Sequence, residues 1–319
     1  MTLYVDRRHV GHFGIGRYAV EVLPRLGLDH RPLALTRDPM MPLSVVERGW
    51  RAPRRRDLIY SPAFWTGSSR APQVLTVHDL IYLREGAGTT RRLYYERLVA
   101  PAARRSGHVL TVSDTSAGEL RDWLGDGVEV HVTGNGCSET FTPEGPARAA
   151  DRPYVLYVGT TKPHKNVGLL VDALAELPDL DLVAITADGK ELSRMIRARD
   201  LSGRARVVEP VADAELASCY RGAAVLALPS TLEGFGLTAL EAICCGTPVA
   251  HLRSCAAVAE VVGSDGVGSE ADPSSYAEAI RLAAAMPRVA RSRPDWSDVA
   301  RRVREALIEI APELGPARA

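Results

Sequence analysis

Short apolar runs, each closed by Gly, Pro, Ser or Asp and separated by amphipathic stretches, recur along this chain. The alternation restricts it to an α/β fold. Runs of four or five residues that are apolar throughout suit parallel strands covered on both faces, and stretches with a 3.6-residue period suit the helices that cover them. Leu3–Val5, Asp57–Tyr60, Val74–Val77, Val109–Val112 and Val128–Val132 read as strands of a first half. Tyr154–Val158, Leu180–Ile185, Arg206–Val208, Ala224–Leu228 and Pro248–His251 read as strands of a second. Helices are expected over 16–26, 91–106, 115–124, 166–177, 192–200, 213–221, 237–245 and 274–285. The pattern runs twice, so two parallel sheets are expected, and 319 residues suffice for two cores at about 100–200 residues each.

The stretch Thr140 to Pro153, TFTPEGPARAADRP, has three prolines and little apolar content, as a linker would. The expected domains are therefore 1–142 and 143–295, followed by a segment 296–319 that opens with an amphipathic helix from Trp296 to Ile310. A cleft between two such domains is the default place for a ligand.

Charge narrows the choice of partner. Lys+Arg and Asp+Glu are both 39, and a chain that neutralises many nucleic-acid phosphates carries a basic excess, so bulk nucleic-acid binding is excluded. Inside the basic count only Lys162, Lys165 and Lys190 are lysines, which leaves 39 − 3 = 36 arginines. Where a compact point charge and a planar fork are interchangeable this chain uses Arg, so the surviving lysines are suspects. Two of them fall in Lys162-Pro163-His164-Lys165. The five cysteines have no metal-type spacing and read as buried free thiols of a reducing compartment. The first residues carry charge too early for a signal peptide, and no apolar run approaches the roughly 18 residues that span a bilayer. A soluble, cytoplasmic protein is expected, with membrane contact at most peripheral.

Two segments of the second half hold the chemistry. In Pro229-Ser230-Thr231-Leu232-Glu233-Gly234-Phe235-Gly236-Leu237-Thr238-Ala239-Leu240-Glu241, a buried strand runs into a glycine-containing turn that opens a helix. Amides at a helix N-terminus favour an anion, and carboxylates not paired with cations suit sugar hydroxyls. These residues fit a diphosphate cradle flanked by Glu233 and Glu241, or a capped helix with two solvated acids. In Tyr154-Val155-Leu156-Tyr157-Val158-Gly159-Thr160-Thr161-Lys162-Pro163-His164-Lys165-Asn166, a strand ends at a loop with three potential cations, and Asn166 is placed to cap the next helix. Both loops leave the C-terminal edge of one sheet, where they can share a ligand. In the first half, Gly14-Ile15-Gly16-Arg17-Tyr18 leads into a helix that is expected to begin at Gly16, and His78 ends a strand. His78 fits a sugar contact or a structural histidine. The Gly14 segment lies about eight residues beyond its strand, which argues against a dinucleotide fingerprint.

These residues resemble glycosyltransferase family 4, the retaining, nucleotide-sugar-dependent transferases of GT-B architecture with two Rossmann-like domains facing across a cleft. The resemblance rests on Glu233-Gly-Phe-Gly-Leu-Thr-Ala-Leu-Glu241 followed by Cys245-Gly246-Thr247-Pro248-Val249, and on VGTTKPHKN, TVHDLIYL, LTVSDTSAGEL, Gly134–Gly136 and the Trp296 helix in family order. It implies roles for individual residues. Glu241 would bind the nucleotide ribose, and Glu233 the donor sugar. Gly234, Phe235, Gly236, Leu237 and Thr238 would hold the diphosphate or sugar through their amides, and Lys165 would neutralise the diphosphate. Pro210 and Val211 would bracket the base. Gly16 would lie beside the donor phosphates and His78 would contact the transferred sugar, giving His78, Lys165 and Glu233 as the catalytic set. His164 stands where many members have Arg, and is grouped with the donor-binding residues. The final helix would cross back to the N-terminal, acceptor-side domain, which is short for the family.

The implied reaction moves a sugar from a nucleoside diphosphate sugar, UDP-, GDP- or similar, to an acceptor hydroxyl. It proceeds on the front face without metal or other cofactor. The acceptor is open among small molecules, glycans and lipid-linked acceptors, as is the oligomeric state. A nucleotide-sugar epimerase or hydrolase of the same fold, or a non-catalytic donor-binding subunit, are the alternatives.

Overall fold

A computed structural model describes residues 1–8, 13–39, 41–84 and 88–315. The expected terminal segment 296–319 thus has its last four residues outside the described ones. The chain divides into two compact units, one of Met1–Gly136 with Pro294–Ala319 and one of Cys137–Arg293.

The first unit carries β1 (Leu3–Val5), β2 (His30–Pro32), β3 (Leu58–Ser61), β4 (Gln73–Leu75), β5 (His108–Thr111) and β6 (Glu129–Val132). β2-β1-β3-β4 form one parallel sheet and β5-β6 a parallel pair. A parallel bridge between Thr76 and Leu110, with the Val77 amide donating to the Leu110 carbonyl at 2.8 Å, continues one into the other. The helix expected over 91–106 is instead Thr89–Tyr94, one π turn over Tyr95–Val99 and Ala100–Ser106. Pro101 accounts for the wide turn, since it has no N–H for the Arg97 carbonyl and its ring would collide with it. The terminal helix, Trp296–Ile310, is capped by Asp295, whose carboxylate accepts from the Ser297 amide at 2.9 Å. It packs on the Phe13–Arg25 helix, with the buried Trp296 ring edge-on to Tyr18 at 6.1 Å. A Cβ at Gly136 would lie 2.6 Å from the Trp296 indole, so only glycine fits there.

The second unit carries β7 (Tyr154–Val158), β8 (Asp181–Ile185), β9 (Ala205–Val208), β10 (Val225–Leu228), β11 (Val249–Leu252) and β12 (Gly266–Ser269), all parallel in the order β12-β11-β10-β7-β8-β9. The pleat sorts its residues into two cores. Tyr154 and Leu156 join one with Leu226, Leu228 and the helices Asp213–Gly222 and Leu237–Cys244. Val155 and Tyr157 join the other with Val225, Ala227 and the helices Val167–Leu174 and Pro273–Ala284. Sequential strands run outward from β7 on one side and from β10 on the other. The order therefore reverses between β7 and β10, and the crevice beyond their C-terminal ends is where open α/β sheets bind ligands.

The stretch expected as a linker is not free. Phe141 is fully buried in the second unit's core, 5.9 Å from the Tyr220 ring, and the Arg221 guanidinium donates to the carbonyls of Thr142 and Pro146 at 3.0 and 2.9 Å. The chain thus passes into the second unit after Gly136 rather than after Thr142. Two strands escaped the sequence reading, β2 (HRP) and β12 (GVGS), and both are sheet edges with little apolar side chain to bury.

Candidate functional site

The loops that leave β7 and β10 meet at the switch point. After β7 the chain turns through a single 3₁₀ turn, Pro163–Lys165, and then Asn166 takes a left-handed conformation (φ 47°) before the Val167–Leu174 helix. Asn166 makes no side-chain cap, contrary to expectation, because a left-handed residue does not aim its side chain at the first-turn amides. The turn instead locks to the other loop. The Thr231 amide donates to the His164 carbonyl at 2.8 Å, and the Thr231 hydroxyl does so at 3.3 Å. His164 is buried, whereas Lys162 is exposed.

One residue further on, Lys165 Nζ lies 2.6 Å from Glu233 Oε1, with side chains 23% and 12% exposed. Glu233 is therefore paired with a cation, which corrects its reading as an unpaired carboxylate; the two partners are 68 residues apart and meet only through the β7–β10 pairing. The pairing leaves capacity on both sides. An ammonium has three donors and a carboxylate about four acceptor sites, so each can hold the other and still meet a ligand. Behind the loop, burial and then the Glu233 carboxylate push the Cys255 thiol up to about 12, which keeps it neutral. Burial, followed by the carboxylates of Glu233 and Asp188, likewise pushes the Tyr157 phenol above its ordinary range.

Gly234 and Phe235 lead to Gly236, which stands in the left-handed region (φ 100°) as the residue before the Leu237–Cys244 helix. A Cβ there would lie 3.3 Å from Val258 Cγ2. The Gly236 carbonyl accepts from Ala239 and Leu240 at 3.0 and 3.1 Å, so the amides of Leu237 and Thr238 fall in the first turn, which has no acceptor within the helix itself. Glu241 follows one turn on, 8% exposed, and its Oε2 accepts from the Tyr220 hydroxyl at 3.0 Å. Pro210 and Val211 follow β9 at the same sheet edge, and Val211 packs on the same core as Phe235. This arrangement places a cation, two carboxylates and a helix N-terminus at the end of one sheet, a set suited to a diphosphate with hydroxyl-bearing groups on either side.

The first unit places the other two predicted residues. Gly16, expected as the first residue of its helix, is buried in the first turns of Phe13–Arg25, which starts three residues before it. His78 is buried beyond β4, where Nε2 lies 2.9 Å from the Pro62 carbonyl and therefore carries the proton. Its ring meets Tyr18 edge-on at 4.9 Å, so Tyr18 ties His78 to the helix of Gly16. The same unit holds a cavity of about 520 Å³ among Phe64, Trp65, Tyr82, Tyr94, Leu93 and Arg91, a volume typical of small-molecule sites. Its walls come from the loop after β3, the Thr89–Tyr94 helix, the π turn and Val45 of the 3₁₀ turn at Pro42–Val46, and periodicity marks neither turn.

Two parallel α/β units, the second with a charged crevice at its switch point, define the class. The molecule has the fold of the GT-B glycosyltransferases. Among solved structures it resembles sucrose-phosphate synthase from Thermosynechococcus elongatus (TM-score 0.71, 20% identity, 97% of this chain and 94% of that one). It also resembles HepE of Anabaena, in complex with UDP and glucose (TM-score 0.71, 18% identity, 96% and 99%). The model of the glycosyl transferases group 1 matches residues 138–303, and the chain belongs to this family. Relatives include the D-inositol 3-phosphate glycosyltransferase of Kineococcus radiotolerans, 34% identical over 239 residues (62% of this chain, 54% of that protein). Another is the O-antigen chain mannosyltransferase B of Escherichia coli, 30% identical over 247 residues (71% and 64%). The chain spans between about half and two thirds of the length of these relatives. No described helix is long and apolar enough to cross a membrane.

Proposed function

We propose that the chain transfers a sugar from a nucleoside diphosphate sugar to an acceptor hydroxyl with retention of the anomeric configuration, as a family 4 member acting in the cytoplasm. The observation that carries this reading is the Lys165–Glu233 pair set against the Gly236 turn at the β7–β10 switch point. Its support from outside the chain is membership of group 1 and the likeness to relatives named for transfer of mannose and of sugar to an inositol phosphate.

In this reading the first-turn amides at Gly236–Thr238 receive the diphosphate, which also takes one of the three Lys165 donors. Glu233 orients the sugar through its hydroxyls. Glu241, held by Tyr220, receives the ribose, and Pro210-Val211 flank the base. The acceptor oxygen bonds to the anomeric carbon on the face that the diphosphate leaves. The bond from that carbon to the diphosphate oxygen breaks, and the acceptor's proton passes to the departing oxygen. Charge grows on the diphosphate as it leaves, where Lys165 and the helix amides stabilise it, so no metal is needed at the donor. The aromatic cavity of the first unit favours an acceptor with an apolar portion.

The test is transfer from a panel of nucleotide sugars with the product's anomeric configuration read by NMR. Retention is expected, with Glu233→Ala reducing kcat/KM by at least about a hundredfold. Inversion, or a Glu233→Ala enzyme with most of its kcat/KM, would sink the assignment.

A further inference from the structure

The outermost strand pair of the first unit presents three side chains that the transfer reading does not use. β5 and β6 run parallel with His108 opposite Glu129 and Leu110 opposite His131. Residues 129 and 131 lie on one face of β6, while Val109 and Val130 point to the other face and into the core. His108 Nδ1 is 3.1 Å from His131 Nε2 and 3.6 Å from Glu129 Oε2, and the three ligand atoms all lie within 4.8 Å of one another. In a tetrahedral site with ligands at about 2.0–2.2 Å, neighbouring ligand atoms stand roughly 3.3–3.6 Å apart. Two of the three separations in this cluster are close to that.

We propose that His108, His131 and Glu129 bind a divalent transition-metal ion, Zn²⁺ by preference. Two imidazoles and one carboxylate suit Zn²⁺ and its neighbours rather than Mg²⁺ or Ca²⁺, which take oxygen ligands. Two ring nitrogens 3.1 Å apart share a single proton, and the cation takes its place. His108 is 24% and Glu129 56% exposed, which leaves an entry path. Three protein ligands keep a fourth position for water. The ion ties the edge strand β6 to β5, and its role is structural.

The chelator-stripped full chain, titrated with Zn²⁺ alone, is expected to bind one ion per chain and to gain in Tm, with Mg²⁺ giving no change. His108→Ala and His131→Ala should each weaken Zn²⁺ binding by at least about tenfold. Should either variant fail to fold, Co²⁺ bound to the wild-type chain decides: nitrogen and oxygen ligation without thiolate charge-transfer absorption supports the site. A thiolate band would place the metal on one of the five free cysteines and overturn the proposal, as would Zn²⁺ binding undiminished in both variants or no saturable binding at all. Each readout is independent of sugar transfer, so failure here leaves the transfer reading standing and the reverse also holds.

Discussion

Replacing Lys165 by Met keeps most of the apolar stem and removes the ammonium, and it separates two roles for one ion pair. The pair is 2.6 Å long, with partners 23% and 12% exposed. An exposed pair is worth about 0.2–1 kcal/mol, whereas removing one partner of a fully buried pair costs about 3–5 kcal/mol. Glu233 retains a little access to water, so Lys165→Met should destabilise the fold by about 1–2 kcal/mol. The cost to transfer is larger: losing one donor to a developing oxyanion takes about 2.7–4 kcal/mol, or about 10²–10³ in kcat. A domain stable by about 5–15 kcal/mol stays folded after the first loss, so unfolding cannot produce the second. Urea unfolding and the transfer rate at saturating donor, measured on one preparation, test both. Adding Glu233→Gln to Lys165→Met should restore part of the stability, because no unpaired charge remains, and none of the rate. A Lys165→Met enzyme with kcat within about threefold of wild type would refute the reasoning, since the lysine would then serve the fold alone.

Two further substitutions bear on the scaffold. Gly236→Ala forces a Cβ into the left-handed region and to 3.3 Å from Val258, and should cost about 1–2 kcal/mol in thermal unfolding while weakening donor binding measured by calorimetry. Trp296→Ala empties a 3% exposed indole site against Tyr18 and Gly136 and should cost about 3–5 kcal/mol, read as a lowered Tm.

What could be read from the sequence followed burial. β7 and β10 are apolar at almost every position because both faces of a central parallel strand are covered, and the amphipathic Trp296–Ile310 helix shows its stripe plainly. β2 and β12 bury little and left no such trace. The Glu233 segment stood out because a buried strand running into a Gly-x-Gly turn sets helix N-terminal amides beside two carboxylates, and the family resemblance supplied roles that this pattern alone left open. The link from Lys165 to Glu233 and the convergence of His108, Glu129 and His131 had no local signature. Both depend on which strands lie side by side and in what register, and that is decided by the packing of whole sheets. Gly16 was misplaced by a few residues for a simpler reason: helix ends are weakly marked where no capping residue announces them.

The first unit is built from two separate pieces of chain, and the second is inserted between them as one continuous piece. During synthesis the inserted unit therefore emerges whole, while the earlier unit must wait for Trp296 and the helix that follows it. A chain cut shortly before Pro294 would keep the second unit whole and leave the first without the helix that packs on Phe13–Arg25. The order of the chain thus leaves the Trp296–Ile310 helix to close the first unit only after the second has been made.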